Sequence, residues 1–493
     1  MTAHAWQAAV SEIEAGPRGP RVAAIFDFDG TLIPGYSELA WVRQRLRDGE
    51  LGVAEIGRAA QLLLELATGR ADKRELIARG LREWKGRKVA TMERLGARIF
   101  AEAIEPEIFP EMRAIIEAHR RMGHTLLVAS SATHFQAGPA AAPLGIGHVL
   151  CTRLSQRCGM LTGRVEGPIL FGRGKAEAVR DFAARHDIDL AQSWFYADGD
   201  EDEALMHLVG HPRPTQPQPQ LARVAARRGW PVRRFTSRGR PEAGLVVRNL
   251  AATASAVPVL AGAAALRLLT GRKRDAANLI TGSLTDIALA LGGVELDVVG
   301  EEHLWERRPA VFIWNHRNIF DAQIVGNLVR RDFGAVAKKE LERVPLFAAA
   351  SRFMHIAFVD RSNSRAAVEA LRPATALLRE GVSMLVAPEG TRAGGRTVAP
   401  FKKGAFRMAM EAGVPVVPIV VRNADDVGSR NSGVMRPATV DVAVLPPIPV
   451  DDWTLEDLDQ RIAAVRQRFA DTLERWPGKP ARASRRTGAA RDE

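Results

Sequence analysis

Cysteine is nearly missing from this 493-residue chain: only Cys151 and Cys158 occur. Two thiols build no disulfide framework, and their spacing resembles no metal site, so both read as structural and a reducing cytosol fits. Long uncharged runs are also scarce. Residues 1–19 hold no apolar core of a secretory leader, so none is expected. Leu250–Leu266 carries no charge between Arg248 and Arg267, but seventeen residues is the lower edge for a membrane span. Its small side chains and central Pro258 favour helices lying in or against an interface over a full span. A second apolar segment, Leu279–Leu291, is broken by Asp286. No zinc-finger, RNA-recognition or helix-turn-helix pattern accompanies the net charge of +12, so nucleic acid is the weakest partner. Anionic lipid or anionic substrates fit that charge better. No internal repeat is visible.

What is present is a globular composition, 46% apolar and 26% charged, at a length that favours two domains. Val22–Phe26 is a short apolar run that stops at Asp27, the pattern of a strand buried on both faces. Helical patterns occupy 38–120, with Ile56–Leu66 and Met112–Ala118 among them. Thr125–Ala129, Trp194–Ala197 and Val232–Phe235 read as further strands. The alternation predicts a doubly wound α/β sheet with its site at the strand carboxyl ends. Composition shifts near 236–243. Beyond it, Val311–Trp314, Ala335–Ala337, Met384–Ala387, Val416–Val421 and Val440–Leu445 predict a second α/β domain. Thr454 and Asp457 form a capping-box start for a final helix through Trp476, and Gly478–Glu493 reads as a disordered basic tail. The expected layout is 20–240 for the first domain with a helical cap at about 36–120, an apolar helical linker at 241–299, the second domain at 300–476, and a tail at 477–493.

Asp27-Phe28-Asp29-Gly30-Thr31 suits phosphoryl transfer through a carboxylate. Asp27 is the candidate nucleophile; Asp29 can protonate the leaving oxygen and then deprotonate water. Ser130 ends a strand, where a hydroxyl can bind phosphate, and Lys175 offers charge to the phosphoryl oxygens. Asp198 and Asp202 lie four apart and are expected on one helix face, making with Asp27 an oxygen cluster suited to Mg²⁺. Together these residues resemble the haloacid dehalogenase superfamily of phosphatases over about residues 20–236, and the helical insert is similar to the cap of the phosphoserine phosphatase subgroup. The resemblance implies catalytic roles for Asp27, Asp29 and Lys175, substrate binding by Ser130, and a metal site of Asp27, Asp29, Asp198 and Asp202. The subgroup's serine-binding glutamate has no match, since Glu38 lies near its place but not at it. The chemistry carries over and the substrate does not.

The second pattern is Asn315-His316-Arg317-Asn318-Ile319-Phe320-Asp321. A histidine base and an orienting aspartate suit acyl transfer to a hydroxyl, but five residues set them about 140° apart on a helix. They pair only if the chain turns after Val311–Trp314. Arg361, then Glu389-Gly390-Thr391-Arg392, follow in order as phosphate and substrate binders. Val414–Ile419 supplies an apolar wall, and Lys338, Lys339, Lys402 and Lys403 a basic rim. These four blocks resemble the glycerolipid acyltransferase family over about 300–450, with Asn318 where that family often has Ser and Ala387 where it often has Phe.

The resemblance implies that His316 and Asp321 are catalytic and that lysophosphatidate (1-acylglycerol 3-phosphate) is acylated by acyl-CoA or acyl carrier protein to give phosphatidate. The expectation is a bifunctional phospholipid-synthesis enzyme on the cytoplasmic side of the plasma membrane, peripheral or shallowly embedded. Its phosphatase half would be Mg²⁺-dependent, and phosphatidate is one substrate the fusion brings to mind. One alternative is an acyltransferase whose first half only docks or regulates. Another is a soluble phosphoserine-type phosphatase with a lipid-binding domain.

Overall fold

The computed structural model describes residues 4–48, 81–359, 364–390, 398–430 and 432–478. The chain divides into two compact units, Met1–Pro241 and Glu242–Glu493.

The first unit is built on a sheet whose order among the described residues is β4-β3-β2-β1-β5-β6. The strands are β1 (Ala23–Phe26), β2 (Thr125–Thr133), β3 (His148–Arg157), β4 (Met160–Glu166), β5 (Trp194–Ala197) and β6 (His211–Pro214). All neighbours run parallel except the hairpin β3–β4. The continuous apolar run of β1 follows from burial on both faces. Ala24 and Phe26 enter one core with Tyr196, and Ala23 and Ile25 enter another with Phe195. Each large side chain buried this way contributes about 1.5–3 kcal/mol. Phe26 stacks on Tyr196 with centroids 5.1 Å apart.

Four readings of the sequence change here. Val232–Phe235 is not a strand: it pairs only through one bridge, Arg233 with Thr215. The hairpin β3–β4 and the edge strand β6 were not foreseen; β6 reads His-Pro-Arg-Pro, and proline is tolerated only where an edge needs no donor. Pro110–Arg121 packs on β2 and on the first helix, His4–Glu14, instead of serving as cap. Ile56–Leu66 lies outside the described residues.

In the second unit the order is β10-β9-β11-β8-β12-β13-β7. The strands are β7 (Val294–Val299), β8 (Val311–Trp314), β9 (Phe333–Lys338), β10 (His355–Val359), β11 (Ser383–Val386), β12 (Val416–Val421) and β13 (Ala438–Val444). Only β12–β13 is antiparallel. β8 is central; Phe312 and Trp314 face one core, Val311 and Ile313 the other. The sheet takes in β7, which the sequence layout had left in the linker, because Val294–Val299 pairs along β13 from Ala438 to Ala443. Helices Ala243–Ala254 and Ala256–Thr270 meet at Ser255 and form a stretch long and apolar enough to cross a membrane by length and composition. Only 11% of its most apolar window is buried, and Leu250, Val257, Leu268 and Leu269 are exposed. The Thr454–Asp457 box forms: Thr454 N–H donates to Asp457 Oδ1 and Asp457 N–H to Thr454 Oγ1, just ahead of helix Leu458–Glu474.

A buried hydrogen-bond chain ties the first unit together. His124 Nε2 must donate to the Pro17 carbonyl at 2.7 Å, so its Nδ1 accepts from His119 Nδ1 at 2.8 Å. His119 Nε2 then accepts from the Tyr196 hydroxyl at 2.9 Å. Every polar atom is satisfied only while both imidazoles are neutral. Burial pushes His119 well down, helped by His124, Arg213 and His211, and burial lowers His124 too. Below about pH 6.5 an unfolded imidazole takes a proton that this pair refuses, so the unfolded state binds more protons and stability falls as pH drops. Thermal melting followed by tryptophan fluorescence will give a lower midpoint for this unit at pH 5 than at pH 7.5. An unchanged midpoint contradicts the proton assignment.

Candidate active sites

Asp27 is the first residue past β1 and its backbone N–H still donates to Tyr196 O, so it sits at the carboxyl edge of the sheet. Three other predicted residues converge on it. Lys175 lies in the first turn of helix Arg173–Arg185, wholly buried, with Nζ 3.2 Å from Asp27 Oδ2 and 2.7 Å from Asp202 Oδ1. Burial alone would lower the ammonium's pKa, and an N-terminal turn disfavours a cation. Asp202 and Asp27 outweigh both, and the pKa moves up. Asp198 follows β5. Burial, then the charge of Asp27, pushes its carboxyl up to about 7, although Gln218 donates to it. Thr31 Oγ1 also donates to it, at 3.3 Å. Gly30 has φ +75°, and a Cβ there would fall 2.2 Å from Asp198 Oδ2, so glycine is required twice over.

Asp29 is held differently. Its oxygens accept the Ser37 N–H at 2.6 Å and the Ser37 hydroxyl at 3.1 Å. Burial raises its pKa well above the ordinary carboxylate range, with Glu38 and Asp27 adding to the shift. A carboxyl that keeps its proton is what a general acid needs. Ser130 is buried in β2, just before a register shift, with Oγ accepting the Ala132 N–H at 3.2 Å.

One reading is corrected here. Asp198 and Asp202 share no helix: Asp198 is in the loop after β5 and Asp202 closes a 3₁₀ turn, Asp200–Asp202. Among the described residues no group of three or more His, Cys, Asp or Glu side chains is arranged to hold a metal ion as the side chains stand. Lys175 stands between Asp27 and Asp202, and Asp29 is turned to Ser37. The set still fits a small hard cation on charge. Burial and Asp27 push both Asp198 and Asp202 upward, and an all-oxygen set with surplus negative charge is what a divalent ion relieves.

At the second sheet, residues 315–320 turn between β8 and helix Asp321–Val329, and the turn brings His316 to Asp321. Asp321 is fully buried. Its Oδ2 accepts three N–H groups: His316 Nδ1 at 3.0 Å, the Asn318 backbone at 3.0 Å, and the Arg317 backbone. This fixes the Nδ1–H tautomer and leaves Nε2 as the basic nitrogen. Glu389 underpins the same turn. Oε1 accepts the His316 N–H at 2.9 Å and Oε2 the Ala399 N–H at 3.0 Å. Burial raises the Glu389 carboxyl, opposed by those two N–H groups and then by the nearby Arg317 charge. Gly390, at φ +70°, follows directly, where a Cβ would meet Lys402 at 2.8 Å. Arg361, Thr391 and Arg392 lie outside the described residues. Asn315 was quoted in the motif without a role; it exchanges two 2.8 Å bonds with Val421 and pins the turn to β12. Ser37, Gln218 and Thr31 were also missed as site residues, and for Ser37 and Gln218 no spacing signal links them to their aspartates.

The two sites define a phosphohydrolase-type centre and an acyltransferase-type centre in one chain. Residues 24–207 match the haloacid dehalogenase-like hydrolase family, and residues 295–422 match the acyltransferase family. A 1-acyl-sn-glycerol-3-phosphate acyltransferase of Limnanthes alba is 31% identical over 40% of this chain and 69% of its own length. A probable phosphatase of Mycobacterium tuberculosis is 30% identical over 44% of this chain and 76% of its own. A solved 1-acyl-sn-glycerophosphate acyltransferase from Thermotoga maritima aligns with 48% of this chain and 98% of its own at 22% identity, TM-score 0.40. The chain belongs to the haloacid dehalogenase-like hydrolases through its first half and to the acyltransferases through its second.

Removing the Lys175 ammonium leaves Asp27 and Asp202 buried without their counter-charge. Lys175→Met is expected to cost about 3–5 kcal/mol, as for other buried ion pairs broken on one side. Adding Asp202→Asn to it should recover part of the loss. Urea midpoints for the three proteins check this, and a neutral Lys175→Met contradicts it.

Proposed function

We propose that the chain is a bifunctional phospholipid-synthesis enzyme, forming phosphatidate in its second half and hydrolysing phosphomonoesters in its first. The observation that carries the acyl-transfer reading is the His316 Nδ1 to Asp321 Oδ2 bond at 3.0 Å, with Asp321 buried. His316 Nε2 takes the proton of the free hydroxyl of 1-acylglycerol 3-phosphate as its oxygen attacks the thioester carbonyl of acyl-CoA or an acylated carrier protein. Asp321 stabilises the imidazolium so formed. The C–S bond then breaks, the thiolate takes the proton back, and phosphatidate remains. Arg361 and Arg392 are the proposed phosphate binders, and Gly390 and Thr391 are proposed as further substrate contacts.

In the first half, Asp27 attacks phosphorus and the leaving oxygen takes the proton of Asp29. Asp29 then deprotonates water, which attacks the acyl phosphate and frees Asp27. Lys175 and Ser130 hold the phosphoryl oxygens. Mg²⁺, held by Asp27, Asp198 and Asp202, would supply neutralisation of the carboxylate and phosphate charges. The raised pKa of Asp29 supports its role as acid. The exposed apolar side chains of Ala243–Thr270 and the net charge of +12 support contact with an anionic cytoplasmic leaflet, peripheral or shallowly embedded.

Labelled acyl-CoA and acylated carrier protein offered with lysophosphatidate should yield phosphatidate. His316→Ala should lower kcat by about 10³-fold or more, the scale of losing a general base and its positioning. Absence of product with either donor refutes the acyl-transfer reading. Phosphate release from an aryl phosphate should require Mg²⁺ and vanish in Asp27→Asn; release that persists in that variant refutes the aspartyl-phosphate route.

A further inference from the structure

The loop that leaves β12 and returns as β13 is fastened at both ends by asparagine side chains that the chemistry above does not use. At its start, the buried Asn318 carboxamide donates to Ala424 O at 2.7 Å and to Gly428 O at 2.9 Å. Its Oδ1 accepts the Phe320 N–H at 2.9 Å, and its backbone N–H is one of the three donors to Asp321 Oδ2. One residue therefore touches both the loop and the carboxylate that orients His316. Gly428 packs so closely that a Cβ there would fall 2.7 Å from the Phe320 ring, the residue just before Asp321.

At the far end, Asn249 of helix Ala243–Ala254 makes a paired bond to the Met435 backbone. Its Oδ1 accepts the Met435 N–H at 2.8 Å and its Nδ2 donates to Met435 O at 2.9 Å. Met435 is buried against Gly292, where a Cβ would fall 2.4 Å from Sδ, so the clamp has little room to slide. Between the two ends, Arg436 N–H donates to Val427 O at 2.8 Å, joining the Met435 end of the loop to the Ala424–Gly428 end.

We propose that Asn318 and Asn249 are positioning residues for acyl transfer. Asn318 sets the His316–Asp321 turn against the loop, and Asn249 holds that loop from the apolar helix. A serine at 318 has one hydroxyl hydrogen and serves at most one of the two carbonyls, which is why the carboxamide matters. The helix that carries Asn249 also exposes Val247 and Leu250, so whatever covers that face borders the clamp. The kinetic part rests on the acyltransferase reading above; the coupling itself does not.

The test uses the full chain as wild type, Asn318→Ser, Asn249→Ala, Asn249→Asp and the Asn318→Ser/Asn249→Ala double variant. Amide hydrogen exchange without substrate reads the coupling directly. Asn249→Ala should speed exchange across 422–437 and also across 315–321; unchanged exchange at 315–321 overturns the proposal whether or not the chain transfers acyl groups. Kinetically, each single variant should lower kcat by about tenfold with donor and acceptor KM within about twofold, the pattern of a displaced base. The double variant should be about as impaired as the worse single, because both release one loop. Asn249→Asp keeps the acceptor for Met435 N–H and should recover part of the rate. Losses that multiply to about a hundredfold, or that appear only in KM, overturn it.

Discussion

A strand with neighbours on both sides and apolar packing on both faces has no polar outlet except at its ends. β1 and β8 are both such strands, each flanked by parallel partners and each apolar along its whole length. Chemistry can therefore begin only at the residue where the apolar run stops. In the first unit that residue is Asp27; in the second the turn begins at Asn315 and delivers His316 to Asp321. The folds are separate, but one geometric constraint places both sites at strand carboxyl ends.

The two sites differ in how a buried carboxylate is answered. Asp321 is met by N–H groups alone, three of them on Oδ2. Asp27 and Asp202 share one ammonium, Asp27 Oδ1 also accepts the Phe28 N–H at 2.7 Å, and Asp198 is left with its carboxyl pushed up to about 7. The first arrangement holds its base in one orientation through Oδ2, while Asp321 Oδ1 is buried without a hydrogen-bond partner among the described residues. The second holds more negative charge than Lys175 can balance, which suits a centre that binds a cation and a phosphoryl group in turn.

Much of this was legible in the chain because apolar continuity and a terminal polar residue are local signals. β1, β5, β8 and β12 were each readable as uninterrupted apolar runs, and the parallel α/β class followed. β6 was not, because His-Pro-Arg-Pro carries no strand signal and owes its place to the edge it occupies. Val232–Phe235 misled in the opposite direction: it looks extended and pairs through a single bridge. The four-residue spacing of Asp198 and Asp202 suggested a helix face, while the chain there makes a 3₁₀ turn. Bonds such as Gln218 to Asp198 or Asn318 to Gly428 join residues 20 and 110 apart, and no periodicity records them. Motifs named the reacting groups; the groups that hold them in place had to be seen folded.

Crossing the two knockouts against the two assays in one preparation asks whether one chain carries two independent catalytic centres. If it does, His316→Ala loses acyl transfer and keeps Mg²⁺-dependent phosphate release, while Asp27→Asn shows the reverse. Loss of both activities in either variant, with the protein folded, would contradict that independence.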